Sequence, residues 1–122
     1  MAVLSSNISP SSQAFRDNSA HMHGLLEEVG AVAAKVEKGG SEQARERHLS
    51  RGKLLPRERI RRLLDANSPF LEIGQFAAHD MYGGDISSAG LITGIGQVEG
   101  RDVMIVCNDA TVKGGTYFPV SV

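Results

Sequence analysis

The chain has 122 residues, 41% of them hydrophobic and 22% charged, with no Trp and a formal net charge of −1. That is one domain's worth of chain at most, and its ordinary composition excludes global disorder. No apolar run approaches the roughly 20 residues that span a bilayer, a lone cysteine at Cys107 excludes an internal disulfide framework or a Cys-rich zinc site, and the overall charge argues against a generally basic nucleic-acid binder.

The average charge hides an asymmetry. Arg45, Arg47, Arg51, Lys53, Arg57, Arg59, Arg61 and Arg62 fall within 18 residues, opposed only by Glu46 and Glu58, so residues 45–62 carry +6 and the remainder −7. Such a block is either a solvated helix face or the mark of a defined anionic partner or subunit contact.

In chain order, residues 9–38 are predicted as one helix. Ser9 is its expected N-cap and Pro10 its first residue. Phe15, Met22, Leu25, Leu26, Val29, Val32, Ala33 and Val36 recur at three- and four-residue steps as one apolar stripe, and a terminal helix of this kind is expected to dock on another element or subunit. Gly39-Gly40 ends it. His21 and His23, two residues apart, do not share a helix face and make no metal pair. Two short helices follow. Ser41 caps the first, Glu42 to about Leu49; Arg51-Gly52-Lys53 breaks the chain; Pro56 starts the second, through Leu64. Leu55 supplies no side-chain cap there, Glu58 is placed to reach back to the cap region, and Ile60, Leu63 and Leu64 form the expected buried face. Asp65 to Pro69 is a turn.

Residues 70–110 are predicted as β structure. A strand starts at Phe70-Leu71-Glu72-Ile73, Gly83-Gly84-Asp85 is a loop, and Ala89–Val98 and Arg101–Asn108 form a hairpin about Glu99-Gly100. Gly94 and Gly96 share a strand face, for twist, close packing or the approach of another backbone. Val103 to Cys107 is continuously apolar, as in a strand buried on both faces, which makes Cys107 an inert core thiol. After it comes a polar loop, Asn108 to Tyr117, where α/β folds place ligands; Gly114-Gly115 can expose backbone N–H groups to an anion or oxyanion, with Lys113 beside them as a point charge. No P-loop, nucleophile elbow, paired-His metal motif or biotinyl-lysine Met-Lys-Met is present.

Several separate stretches, in order, resemble biotin-dependent acyl-CoA carboxyltransferase β subunits: Gly39-Gly40-Ser41 through Arg45, Arg47-His48, Ser50 through Ile60, Leu63-Leu64-Asp65, Ser68 through Glu72, Gly90 through Gly96, and Asn108 through Tyr117. The likeness covers about residues 10–122. Within that family Lys113-Gly114-Gly115-Thr116-Tyr117 looks like the type that acts on 3-methylcrotonyl-CoA, a step of leucine degradation, or its relative acting on geranyl-CoA, rather than the propionyl-CoA type; Phe118 stands where a second Tyr is common. The resemblance implies an α/β fold in which N-terminal helices precede a β-hairpin, the start of a crotonase-like ββα superhelix. It divides the chain into an N-terminal helix, 1–40, and the truncated start of the carboxyltransferase domain, 41–122. The reaction implied is carboxyl transfer from carboxybiotin to an acyl-CoA. Biotin is carried by a partner, the biotin carboxylase/biotin carrier α subunit, which uses ATP and bicarbonate; a hexameric core of β subunits is the other expected partner, and neither nucleic acid nor membrane is.

CoA carries a diphosphate and a 3′-phosphate, so Arg51, Lys53 and Arg57 are assigned to phosphate contact, and Lys113, Gly114 and Gly115 to the pocket floor. No catalytic or metal residue is expected. The apolar end at Tyr117 to Val122 reads as a truncation, which leaves the chain inactive alone. Met1 to Ser6 forms no secretory signal and, with the first Arg at position 16, a poor transit peptide; the expected compartment is the bacterial cytoplasm, or the mitochondrial matrix in a eukaryote. The competing readings are a nucleic-acid-binding helix pair at Arg45–Arg62, opposed by the lack of stacking aromatics, and an assembly fragment without chemistry.

Overall fold

A computed structural model describes residues 5–84 and 86–121 and, at Ser87, the backbone alone. Asp85 of the expected glycine loop, most of the N-terminal apolar run and Val122 lie outside the described residues. The chain forms two compact units, Met1–Val32 and Ala33–Val122.

The first unit is built on α1 (Gln13–Glu37), whose residues from Ala33 onward belong to the second. The helix starts later than Ser9. Ser9 instead accepts from Ser12 in a preceding turn, and the Ser12 hydroxyl accepts the Phe15 N–H at 3.1 Å, so Ser12 supplies the capping oxygen. Phe15, Met22, Leu25, Leu26 and Val29 lie along the helix exposed.

In the second unit, α2 (Glu42–Ser50) is capped by Ser41, whose side chain accepts from Ala44. Helix α3 (Pro56–Leu63) begins on proline with no side-chain cap. Glu58 does not reach back to that cap: it binds Arg61 and Arg62, one turn on, at 2.7 Å each. Ile60 is buried and Leu64 packs beside it, but Leu63, expected in the same face, is exposed.

Three strands, β1 (Phe70–Ile73), β2 (Leu91–Val98) and β3 (Arg101–Asn108), form an antiparallel sheet in chain order. The β2–β3 turn places both Glu99 and Gly100 at positive φ, 51° and 72°, the geometry whose twist matches a two-residue hairpin. Asp65 secures it, its carboxylate accepting both turn N–H groups at 2.7 Å. One sheet face carries Ile92, Ile105 and Cys107 against Ile60, with Leu64, Phe70 and Val103 around them. Gly94 and Gly96 lie on this face; a Cβ would strike the Phe70 ring at Gly94 and the Leu64 methyls at Gly96, so close packing is the reason for both glycines. The other face presents Leu71, Ile73, Ile95, Met104 and Val106 to solvent. The expectation that β3 is buried on both faces is therefore corrected: its apolar run is continuous, but only alternate residues are covered. The β2 strand also starts at Leu91 rather than Ala89, because Ser88 and Ala89 adopt left-handed backbone in a tight turn.

A second apolar cluster, Ala78, Ile86, Ala89, Val112 and Phe118, sits under the loops that precede β2 and follow β3. No described helix is long and apolar enough to cross a membrane.

Candidate functional site

A cleft of about 790 Å³ opens within the second unit. The end of α1 contributes Lys35, and Lys38 follows directly after it; the bend Gly39-Gly40 and the first turn of α2 contribute Ser41, Ala44 and Arg45. Opposite them stand Thr111, Val112, Lys113 and Gly114 from the loop after β3, with Tyr82, Gly84, Ile86 and Phe118 below. Four cations thus line one cavity, and no Asp or Glu among the described residues lines it. Like charges gathered together repel one another, so an anion entering the cleft relieves repulsion as well as gaining attraction.

The bend is where the two ends of the second unit meet. Gly39 has a φ of 75°, the left-handed region that favours glycine at a helix end. Gly40 lies so close to Thr111 that any Cβ would overlap the Thr111 carbonyl. Its N–H donates to the Thr111 hydroxyl at 2.9 Å across 71 residues of sequence, and its carbonyl accepts from the Arg45 guanidinium. Thr111 and Asp109 are both 4% exposed, with Asp109 Oδ1 accepting from the Thr111 N–H at 2.8 Å and its hydroxyl at 2.6 Å.

Lys113 is held with a positive φ of 44°, uncommon for a residue with a side chain, and its ammonium lies 4.5 Å over the Phe118 ring. The Phe118 ring is itself buried and packs on Tyr82 at 5.2 Å between centroids. The two glycines that follow differ. Gly115 donates its N–H to Val112 at 2.9 Å and receives the Asn108 side-chain amide on its carbonyl at 2.8 Å. Gly114 makes no backbone N–H bond among the described residues and lines the cleft.

Of the residues assigned from sequence, Lys113 and Gly114 line the cleft, while Gly115 is closed into the turn beneath. Arg51 and Lys53 are exposed in the break between α2 and α3, away from the cleft lining and without an ion pair among the described residues. Arg57 grips Glu72 of β1 through both guanidinium arms, at 2.6 and 2.8 Å, and that hydrogen-bonded pairing raises its already high pKa. Lys35 and Lys38 were not singled out from sequence, because they appear only as the polar end of a helix. Their one sequence signal is a diglycine bend directly after Lys38, with a second diglycine at Gly114-Gly115. Cys107 is buried, which pushes its thiol pKa up and keeps it from nucleophilic use. No group of three potential metal ligands forms among the described residues.

A family model described as the carboxyl transferase domain matches residues 47–122. The methylcrotonoyl-CoA carboxylase beta chain, mitochondrial, of Arabidopsis thaliana is 48% identical over 122 residues, 100% of this chain and 21% of the relative. The biotin-dependent 3-methylcrotonyl-coenzyme A carboxylase beta1 subunit of Mycobacterium tuberculosis is 59% identical over 98 residues, 80% of this chain and 18% of the relative. The crystal structure of transcarboxylase 12S, described as a hexamer with methylmalonyl-coenzyme A bound, superposes with a TM-score of 0.68 at 37% identity, over 78% of this chain and 19% of that one. This chain spans about a fifth of the length of these relatives. The helices-then-hairpin order expected from sequence is thus shared with crotonase-fold carboxyltransferases.

Proposed function

Because the chain belongs to the carboxyl transferase domain family, we propose that it is a segment of the carboxyltransferase β subunit of a biotin-dependent acyl-CoA carboxylase, and that its cationic cleft receives phosphate groups of the acyl-CoA. The observation that carries this reading is the convergence of Lys35, Lys38, Arg45 and Lys113 on one cavity with no described acid among them. Phosphate is the ligand such a cluster favours, since each oxygen takes a charge-assisted hydrogen bond.

The substrate is proposed to be 3-methylcrotonyl-CoA, on the names of the two relatives and on Lys113 through Tyr117; geranyl-CoA and propionyl-CoA are the alternatives. Biotin, when bound to a partner α subunit that consumes ATP and bicarbonate, supplies the carboxyl group. The cleft's cations suit phosphate and not biotin's uncharged ureido ring, so the transfer itself is assigned to no residue here. Arg51 and Lys53 are exposed and unpaired among the described residues, which supports a separate contact with the 3′-phosphate. On that proposal, Lys53→Ala weakens CoA binding by roughly 1–2 kcal/mol, a penalty that shrinks with dephospho-CoA. A β-subunit hexamer is proposed by likeness to transcarboxylase 12S, in the bacterial cytoplasm or the mitochondrial matrix.

The test is a chimera: this chain replaces the matching segment of the Mycobacterium tuberculosis β1 subunit, which is then assembled with its biotin-carrying partner. The expected result is carboxylation with a higher kcat/KM for 3-methylcrotonyl-CoA than for propionyl-CoA. An assembled chimera that binds no acyl-CoA contradicts the site, and one that prefers propionyl-CoA contradicts the substrate. The 122-residue chain alone, given free carboxybiotin, is expected to show no turnover.

A further inference from the structure

The two cationic walls of the cleft come from distant stretches of sequence, and one hydrogen-bonded relay joins their backbones. The Thr111 hydroxyl donates to Asp109 Oδ1 at 2.6 Å, which leaves that oxygen's lone pairs free for the Gly40 N–H at 2.9 Å. Gly40 passes the constraint on, since its carbonyl holds Arg45. Asp109 and Thr111 are buried and Gly40 half-buried, so an unmade bond is not replaced by water at little cost. Packing alone does not require a hydroxyl at position 111, because Val occupies nearly the same volume. What the hydroxyl adds is a fixed separation between the bend after Lys38 and the loop that carries Lys113.

We propose that Thr111 is a positioning residue of the cleft: its hydroxyl, aimed by Asp109, holds the Gly40 backbone and thereby sets Lys38 and Arg45 against Lys113 at the spacing that the phosphates of CoA require. This rests on the phosphate reading of the cleft given above. It predicts that a hydroxyl already engaged by Asp109 and Gly40 governs affinity through the backbone it holds.

The test compares the assembled chimera described above, carrying this chain's unmodified segment, with its Thr111→Val and Thr111→Ser forms, using CoA as the probe in calorimetry and amide hydrogen exchange at Gly40 as a ligand-free readout. Thr111→Val is expected to weaken CoA binding about tenfold at unchanged stoichiometry. Its Gly40 amide should exchange at least ~10-fold faster. Thr111→Ser, which restores the oxygen, should return both to within about twofold of the unmodified chimera. A merely structural role would lower the binding-competent fraction and leave the Kd of the folded remainder alone. Should the Val variant fail to fold, Asp109→Asn, which keeps an acceptor but loses its charge, is expected to weaken CoA about threefold. Unmodified CoA affinity in a folded Thr111→Val or Asp109→Asn variant overturns the positioning role. Failure of the unmodified chimera to bind CoA overturns the phosphate reading instead, and with it the purpose assigned to the relay.

Discussion

The basic stretch Arg45–Arg62 and the cleft differ in a way that charge counting along the chain does not reveal. The stretch is dense in sequence, yet in space the cations of its second helix are answered in part: Arg57 is bound by Glu72, and Arg61 and Arg62 share Glu58. The cleft is sparse in sequence, drawing Lys35, Lys38, Arg45 and Lys113 from either end of the unit, yet no described carboxylate lines it. A cation whose partner is a carboxylate of the same protein spends its field locally; only one without such a partner projects it to a ligand. Arg45 alone belongs to both regions, and it turns to the Gly40 carbonyl rather than to an acid.

The sharpest way to break the comparison is at the bend. Gly40→Ala puts a methyl into the Thr111 backbone and is expected to cost roughly 3 kcal/mol or more, measured by urea unfolding. Gly52→Ala, in the basic stretch, has open space around it and a φ of 71°, so only backbone strain of about 1 kcal/mol is expected. Equal losses at the two sites would show that Gly40 is not a close-contact position.

Next in size is the Arg57–Glu72 pair, whose side chains are 30% and 15% exposed. Glu72→Gln leaves a part-buried guanidinium without its counter-charge and should cost about 1–2 kcal/mol of stability. CoA affinity is expected to stay unchanged, because the pair faces the sheet rather than the cleft lining. The cleft gives the converse pattern. Lys38→Ala should leave stability within about 0.5 kcal/mol while weakening CoA about fivefold, and Arg61→Ala should change CoA affinity by less than about 1.5-fold.

How much of this could be read from sequence depends on how far apart the interacting residues lie. The β2–β3 hairpin was legible because Glu99-Gly100 and its flanking alternation are contiguous, and α2 was legible from Ser41. The start of α1 was misplaced because Ser9, Ser11 and Ser12 are all competent caps and only the local fold chooses among them. Periodicity placed Leu63 with Ile60, but α3 is short and the sheet covers one narrow stripe of it. Lys113 and Gly114 announced themselves by their glycine loop. Lys35 and Lys38 could not, because what makes them part of a site is the Gly40–Thr111 contact 71 residues away.

The smallest expected effect lies at Glu58, where hydrogen bonds from Arg62 and then Arg61 hold the carboxyl below its ordinary value of 4.5. A carboxyl depressed in the folded state contributes stability that is present above its unfolded pKa and is lost as pH falls through the lower folded one. An NMR titration of the Glu58 carboxyl should therefore show a midpoint below 4.5, returning toward it in Arg61→Ala/Arg62→Ala. A midpoint at 4.5 in the unmodified chain would mean that the pairs do not persist in solution.

The most direct measurement of the central claim is a CoA titration of the isotope-labelled chain followed by amide and side-chain NMR shifts. The account predicts saturable shifts at Lys35, Lys38, Gly40, Arg45, Lys113 and Gly114, weakened by added salt, with Arg57, Arg61 and Arg62 unmoved. Saturable shifts at the paired arginines of α3 with a silent cleft would contradict it.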